Sequence, residues 1–433
     1  MNRKQLTLIF LALVILGGAG LVLINRNRDS WSAPRGKMGQ KLLPNFPIND
    51  VAAIHVKETA DLHLAATNAG SWRVQERGGY PANYSQVRDL LIKMLDLKIS
   101  QSEPIAPSQL PRMELEPPGK GANAGTLVEF LDKQGKTLQS FLLGKKHIQE
   151  SSNPSPFGGG AFPDGRYLLL SNDTRDLILV SDPLESIEVN PESWLDHDFF
   201  KIEKLQSVSL VSTNATNSWK LTRESENAPW VLADTNAGEV LDSNKVSSLA
   251  GTLSYASFVD VATNPAPAVT GLDQPLALTL ATFDHFTYDL KIGHKTPGNN
   301  NFYLTVAVAA DIPAQRAAAA DEKPDDKQKL DKEFQDKTTA LKDKLAKEKA
   351  LGQWVYLVGS TLVDPLIRDR SQLFVDKKEE NPAPKTGAEP GAQTQPGLME
   401  MPAPSNTPSS ANAPASTNTP PAPANTPPPA PPQ

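Results

Sequence analysis

The chain has 433 residues, with 43 Lys and Arg against 49 Asp and Glu, a formal net charge of −6, and no cysteine. The missing cysteine excludes a disulfide scaffold, a thiolate metal site and a cysteine nucleophile. The acidic balance argues against a general nucleic-acid-binding protein, which would carry a basic surface. Of the 38 prolines, 16 lie from Pro382 onward, so a proline-rich tail follows a part of ordinary globular composition.

The first predicted element is a membrane-spanning helix from Leu6 to Ile24, nineteen residues without a charge. At 1.5 Å per residue it would span about 28 Å, close to the thickness of the hydrocarbon core. A cleaved signal peptide is the alternative, but its apolar region is typically about 7–15 residues and ends in a small-x-small site. Here the run is longer and Arg26 follows it almost directly. The sequence therefore favours an uncleaved anchor.

Two rules disagree about the orientation of this anchor. More basic residues follow the apolar run than precede it, which by the positive-inside rule would place the large domain in the cytoplasm. However, a short basic N-terminus before an apolar run is the layout of an export signal, and long domains translocate largely regardless of charge. We therefore expect a single-pass protein of the cytoplasmic (inner) membrane with most of the chain on the periplasmic side.

Two stretches of about 150 residues repeat the same order of strands and helices, which is the signature of an internal duplication. Alternating apolar residues predict the strands, and an apolar face predicts one amphipathic helix in each unit. A short helix is predicted to close each unit, at 183–187 and 361–367. The matched segments, in chain order, are 51–56 with 208–211, 62–64 with 219–221, 71–74 with 229–232, helices from about 85 and 242, 126–130 with 277–281, 140–146 with 288–295, 166–170 with 302–306, and 177–180 with 354–358.

Some residues of these units have specific predicted roles. Trp72 and Trp230 are expected to be core aromatics. Gly144 and Gly293 are expected to end strands at turns that need a positive φ. The apolar helix faces comprise Val87, Leu90, Leu91, Met94 and Leu95 in the first unit, and Val246, Leu249, Leu253 and Tyr255 in the second.

Runs of strands joined by tight connections, packed with helices, predict the α+β class with antiparallel sheets. The predicted organisation is a membrane anchor (1–28), a linker (29–47), a first α+β repeat (48–200), a second repeat (201–376) with a charged helical insertion (314–351), and a disordered Pro/Ala-rich tail (377–433).

A set of short segments carries a resemblance to a known family: Trp72, Tyr80-Pro81-Ala82, Val87 to Leu97, Leu143-Gly144-Lys145 and Pro191-Glu192-Ser193-Trp194-Leu195. In these segments the sequence resembles the bacterial family called domain of unknown function 4340. The resemblance covers residues 48–200 well and the second unit more loosely, and it implies no catalytic residues. Members often occur beside ABC transporter components of the gliding-motility type, which implies an accessory envelope subunit.

The charged insertion is predicted to form a helix from Pro324 to Ala350, about 40 Å long. Proline suits the first turn of a helix, and the acidic residues after it suit the positive end of the helix dipole. A narrow apolar stripe could pack on its own domain or dock a partner helix. The stripe consists of Leu330, Phe334, Leu341 and Leu345.

The tail from Lys377 has almost no large apolar residue, so it cannot bury enough surface to offset the entropy of ordering. A spacer through the cell-wall layer and a tail without function are both open.

The usual motifs of reactive sites are missing from the sequence. No phosphate loop, no Gly-x-Ser-x-Gly elbow and no His-Glu-x-x-His helix occurs. Asp196-His197-Asp198 is the best candidate for a metal or acid/base site, although adjacent residues of an extended chain point in opposite directions. Asp284-His285 and His294 are expected on the surface.

These observations predict a non-catalytic accessory or scaffold protein of the bacterial envelope, with no catalytic, cofactor or metal residues and no cofactor. Its predicted partners are the membrane, through Leu6 to Ile24, and the permease, ATPase or related envelope subunits of an ABC-type transport complex. The alternative is an envelope carbohydrate-binding protein or hydrolase that acts in the cleft between the repeats.

Overall fold

The computed structural model describes residues 38–149, 162–212, 215–317 and 322–375. The predicted anchor Leu6–Ile24 and the predicted tail from Lys377 lie outside these residues. Within the described part of the chain, no helix is both long and apolar enough to cross a membrane.

The described chain is an α+β structure with two antiparallel sheets, and each sheet contains the strands predicted for one repeat together with edge strands that were not predicted. The first sheet has the spatial order β4-β3-β2-β1-β6-β7-β8-β9-β5. Its strands are β1 (Ala53–Lys57), β2 (Asp61–Ala66), β3 (Trp72–Val74), β4 (Tyr80–Pro81), β5 (Ile99–Pro104), β6 (Thr126–Leu131), β7 (Thr137–Gln149), β8 (Phe162–Leu170) and β9 (Asp173–Val180).

The second sheet has the order β12-β11-β10-β14-β15-β16-β17-β13. Position by position this matches the first sheet, apart from β4, which has no counterpart in the second. The predicted duplication is therefore confirmed at the level of strand order. The strands are β10 (Leu205–Val211), β11 (Trp219–Thr222), β12 (Val231–Leu232), β13 (Asp260–Ala262), β14 (Leu276–Thr282), β15 (Phe286–Lys295), β16 (Asn301–Ala310) and β17 (Val355–Gly359).

Each repeat has one amphipathic helix, and both helices begin at a side-chain cap. In α1 (Tyr84–Asp96) the Asn83 side chain accepts a hydrogen bond from the backbone N–H of Gln86. In α2 (Ser243–Ser254) the Asp242 side chain accepts from the N–H groups of Asn244 and Lys245. Such caps satisfy backbone donors that have no partner inside the helix. The buried faces are Val87, Leu90, Leu91 and Met94 in α1, and Val246, Leu249 and Leu253 in α2.

Two predictions about helices are wrong. Tyr255 is 86% exposed, because it follows Leu253 by two residues, about 200° around a helix, and so lies away from the apolar face. Residues 183–187 form no helix. There the Asp182 carboxylate accepts the N–H of Leu184, which has a left-handed φ of 51°, and this local bond favours a turn. The other predicted short helix, at 361–367, is confirmed in part, because a helix (α5) spans Ser360–Val363. Two other helices precede it in the second repeat after α2: the four-residue α3 (Pro267–Thr270) and the insertion helix.

The insertion helix, α4, spans Pro324–Lys349, close to the predicted range. Leu341 and Leu345 pack against the main core, so the C-terminal half of the apolar stripe covers its own domain. Leu330, near the other end, is 39% exposed.

The main core is one continuous cluster that contains buried residues from both sheets and both amphipathic helices. Trp72 belongs to it as predicted, whereas Trp230 is only partly buried against it. A smaller cluster of Leu115, Leu169 and Leu177 lies on the opposite face of the first sheet. The alternation along β7 shows this, since Phe141 and Leu143 belong to the main core while Leu142 packs on the small cluster.

Candidate functional site

The junction between the repeats, where the alternative function would act, is filled with aromatic side chains. Tyr80 of the first repeat packs edge-on against three rings of the second, at centroid distances of 5.7 Å to Phe258, 5.1 Å to Trp354 and 6.1 Å to Tyr356. Phe199, just before the second repeat, lies 5.2 Å from Phe258 and 4.8 Å from Tyr356. We call these five residues the seam cluster. Four of them are buried, so the seam is a packed core at this point.

Burial changes the acidity of the seam tyrosines. Desolvation raises the pKa of Tyr80 to about 12, and it also raises the pKa of Tyr356. The Tyr356 hydroxyl is buried and has no hydrogen-bond partner among the described residues. Both phenols therefore stay protonated at neutral pH and serve the packing of the seam.

Polar contacts flank the seam cluster. The Arg77 guanidinium donates two hydrogen bonds to the Asp260 carboxylate, at 2.6 and 2.9 Å, and a third to Glu192 at 3.2 Å. The hydrogen bond to Asp260 is the main reason that the pKa of Arg77 is raised. The hydroxyl of Thr263 donates to the carbonyl of Glu76 at 3.1 Å. The edge of the first sheet near β4 is thus fixed to the β13 edge of the second.

Two of the segments that carry the family resemblance meet beside the seam. Ala82 forms an isolated antiparallel bridge with Leu195, and the N–H of Asn83 donates to the carbonyl of Trp194 at 2.8 Å. Trp194 is fully buried, and its indole N–H donates to the carbonyl of Glu188. These segments therefore act in packing, as their composition predicts.

The predicted candidate Asp196-His197-Asp198 does not form a metal site. The Asp196 carboxylate accepts the N–H of Asp198, and Asp198 forms an ion pair with Lys347 of α4 at 2.5 Å. The His197 ring packs on Phe258, with centroids 4.8 Å apart. Within the described ranges, no group of three or more His, Asp or Glu side chains is arranged to hold a metal ion.

The other predicted histidine positions are at the surface or in packing roles. Asp284 binds Lys204 at 3.0 Å and Lys337 at 2.8 Å, while His285 is exposed in the turn between β14 and β15. His294 is also exposed, as predicted, and its ring lies beside Gly271.

A histidine pair that the sequence reading did not identify lies on the outer face of the first sheet. His55 and His63 are cross-strand neighbours of β1 and β2, with ring centroids 4.3 Å apart, and His63 Nδ1 lies 2.6 Å from a carboxylate oxygen of Glu76. Burial, and then the neighbouring His63, lowers the pKa of His55. The two histidines occupy matching outward positions of consecutive strands, and this register is the signal that could have revealed them.

Gly144 and Gly293 are not turn residues, so the prediction of a positive φ is wrong for both. Each lies inside a long strand, β7 or β15, at a register shift of the ladder. A Cβ at Gly144 would lie 2.3 Å from the carbonyl oxygen of Met113, and one at Gly293 would lie 2.0 Å from that of Thr270. Glycine is required because a crossing loop approaches the strand backbone.

The two register shifts are equivalent β-bulges. In the first repeat, Leu143 pairs with Leu168 and Lys146 pairs with Arg166, which leaves Gly144 and Lys145 opposite Tyr167 alone. In the second repeat, the ladder passes in the same way from Ile292 to Lys295. Bulges bend a strand and re-aim its side chains, and they are frequent beside functional sites.

A cleft of about 640 Å³ opens at the bulge of the first repeat. The end of β5, the 3₁₀ helix Pro107–Met113 and strands β7, β8 and β9 form its walls. We call it the bulge cleft. Its polar lining includes Glu103, Arg112, Lys145, Lys146 and His147, and its apolar lining includes Ile105, Met113, Tyr167 and Leu177.

Some of the charges around the bulge cleft are paired. Lys146 lies 3.1 Å from Glu185, and His147 Nδ1 lies 2.5 Å from Asp164. Arg112 and Lys145 are exposed and have no carboxylate partner among the described residues. Burial, followed by the nearby carboxylates Glu103 and Asp164, raises the pKa of Tyr167. The cleft thus presents the cationic groups of Arg112 and Lys145, together with the exposed carboxylate of Glu103, above an apolar floor.

The comparisons with known proteins give one match. The chain matches no curated protein and no solved structure. A family model described as Domain of unknown function (DUF4340) matches residues 72–275, from β3 of the first repeat to the start of β14 in the second. This span begins later and extends further than the expected range of 48–200, and it contains all the segments that carry the resemblance. The DUF4340 family is therefore matched over residues 72–275 of the chain, as the resemblance predicts.

Proposed function

We propose that the protein is a non-catalytic, membrane-anchored accessory or scaffold subunit of the bacterial cell envelope that provides contact surface for an ABC-type transport complex. The observation that carries this proposal is the seam cluster. It joins the two repeats through one continuous core and fills the place where an interdomain active site would need space for a substrate. Two repeats packed into one rigid unit suit a role in which the protein acts by binding partners through its surface and not by chemical reaction.

The insertion helix supports the same proposal. Its C-terminal half is fixed to the domain by the ion pairs of Lys337 with Asp284 and of Lys347 with Asp198. Its N-terminal half presents Leu330 and many charged residues to solvent. An exposed helix with an apolar stripe is a common element of protein recognition.

Affinity purification tests the proposed partners. We expect the full-length chain, tagged and extracted from membranes with a mild detergent, to recover an ATPase and a permease in reproducible proportion. A control protein with the same anchor and an unrelated domain should recover neither. If the chain instead bound or cleaved envelope glycan and no transporter subunit was recovered, the carbohydrate alternative would replace this proposal.

The lack of cysteine in the chain gives a clean test of location. We expect Lys133→Cys, in the exposed turn between β6 and β7, to react with a membrane-impermeant maleimide in spheroplasts with an intact inner membrane. The wild-type chain is the unreactive control. Labelling only after the membrane is permeabilised would place the domain in the cytoplasm and contradict the proposed location.

A further inference from the structure

We propose that the bulge cleft binds a short acidic peptide segment, with carboxylates on Arg112 and Lys145 and an apolar side chain on the floor formed by Tyr167 and Met113. The inference deepens the proposed function, since the natural source of such a segment would be a partner subunit.

Charge complementarity is the first argument. Guanidinium and ammonium groups form strong hydrogen bonds with carboxylates, and Arg112 and Lys145 lack a carboxylate partner in the described parts of the chain. The nearby Lys146 and His147 are already paired, with Glu185 and Asp164.

The shape of the cleft is the second argument. A volume of about 640 Å³ lies within the range of roughly 300–1,000 Å³ that is typical of ligand pockets. The apolar residues Met113, Tyr167 and Leu177 line it beneath the charged groups. An apolar floor with a few polar groups at the rim fits a segment that carries both an apolar side chain and carboxylates.

The construction of the bulge is the third argument. The carbonyl of Met113 crosses so close to Gly144 that any side chain there would clash, which fixes the strand against the loop that carries Arg112. The Arg166 side chain donates a hydrogen bond to the carbonyl of Gly144 at 2.9 Å and holds the bulge from the other side. The backbone that carries Lys145 is therefore preorganised, which lowers the entropy cost of binding.

The second repeat shows the same bulge with a different side chain. There the residue after the bulge glycine is His294, which is exposed and has its ring beside Gly271. In the first repeat the equivalent residue is Lys145, which is also exposed to solvent. The duplicated bulge thus carries a lysine ammonium group in the first repeat and an imidazole in the second.

Calorimetric titration of the purified full-length chain in non-ionic detergent at low salt tests this site. The probe is the capped pentapeptide Asp-Glu-Leu-Glu-Asp, and the neutral Asn-Gln-Leu-Gln-Asn is its control. We expect the acidic peptide to bind and the neutral one to bind at least about tenfold more weakly. The reason is that hydrogen bonds to the charged carboxylates raise the affinity by about this factor or more. Added salt should weaken the binding by screening.

Two charge reversals locate the binding. Arg112→Glu and Lys145→Glu should each weaken the binding of the acidic peptide by about tenfold or more, since each removes the cationic partner of one peptide carboxylate. Lys133→Glu makes the same charge change on an exposed residue beyond the other end of β7, and it should leave the affinity within about twofold. Unchanged circular dichroism of all three variants shows that they are folded.

Equal binding of the acidic and neutral peptides, or acidic-peptide binding that the two reversals do not affect, would overturn the proposal. Binding of inorganic phosphate or of phosphatidylglycerol vesicles at these residues, without peptide binding, would also overturn it. The titration supplies the peptide directly and does not depend on a transporter. A failed titration with successful co-purification would therefore contradict only this inference, and a successful titration with failed co-purification would contradict only the proposed function.

Discussion

Phe258→Ala is expected to lower the free energy of unfolding by about 3–5 kcal/mol, the usual cost of removing a buried aromatic ring. Phe258 is 5% exposed and lies within 5.7 Å of Tyr80, Phe199 and Tyr356. The substitution opens a cavity at the seam, where the two repeats share their core. Chemical denaturation should therefore change from one cooperative transition to a broader or two-step one.

The measurement is a urea titration followed by both tryptophan fluorescence and circular dichroism, since coincident transitions indicate two-state unfolding. Phe162→Ala is the matched control, because Phe162 is 52% exposed and its substitution should lower the free energy of unfolding only a little. Tyr356→Phe should leave stability unchanged or raise it, as it removes a buried hydroxyl without a hydrogen-bond partner in the described structure. If the Phe258→Ala variant were as stable as the wild type, the repeats would have to be held together by contacts outside the seam cluster.

Glu348→Ala is expected to lower the free energy of unfolding by roughly 2–4 kcal/mol. Glu348 is 5% exposed at the end of α4, and its carboxylate accepts the Tyr288 hydroxyl at 2.6 Å and the backbone N–H of Lys201 at 3.2 Å. Alanine leaves both donors without a partner, and Tyr288 is fully buried, so water cannot easily replace the carboxylate. Burial, and then this hydrogen bond, also raises the pKa of Tyr288, which keeps the phenol protonated.

The effect should be concentrated on the insertion helix. Hydrogen exchange of amides in the last turns of α4 should accelerate in Glu348→Ala more than exchange in the central strands of the sheets. Glu333→Ala on the same helix is the control, because Glu333 is largely exposed and only loosely paired with Lys329 at 3.9 Å. Equal stability of the two variants would contradict the role of Glu348 in anchoring α4.

The sequence was a good guide to the amphipathic helices and the repeated strands, since both depend on local patterns. Asn83 and Asp242 begin the two helices as capping residues, and the apolar spacing after each of them defines the buried face. Where the spacing departed from the helical period, prediction failed. Tyr255 follows Leu253 by two residues, about 200° around a helix, so it lies away from the buried face.

The bulge glycines show why some residues could not be interpreted locally. Gly144 and Gly293 look like turn glycines in the sequence, yet each lies in a strand and is needed because a distant loop crosses it. That loop reaches Gly144 from Met113, about thirty residues away in the chain. The same long-range contact creates the bulge cleft, so neither the cleft nor its free cations could be inferred from spacing.

The sequence by itself determined the class of the fold, the duplication of its units and the position of the charged helix, because hydrophobic periodicity and capping act over a few residues. Only the tertiary structure decided that the repeats share one core through Tyr80 and Phe258, that Asp198 forms an ion pair with Lys347, and that Arg112 and Lys145 line one cleft. These outcomes depend on which side chains distant segments bring together, and that is settled by the packing of the whole chain.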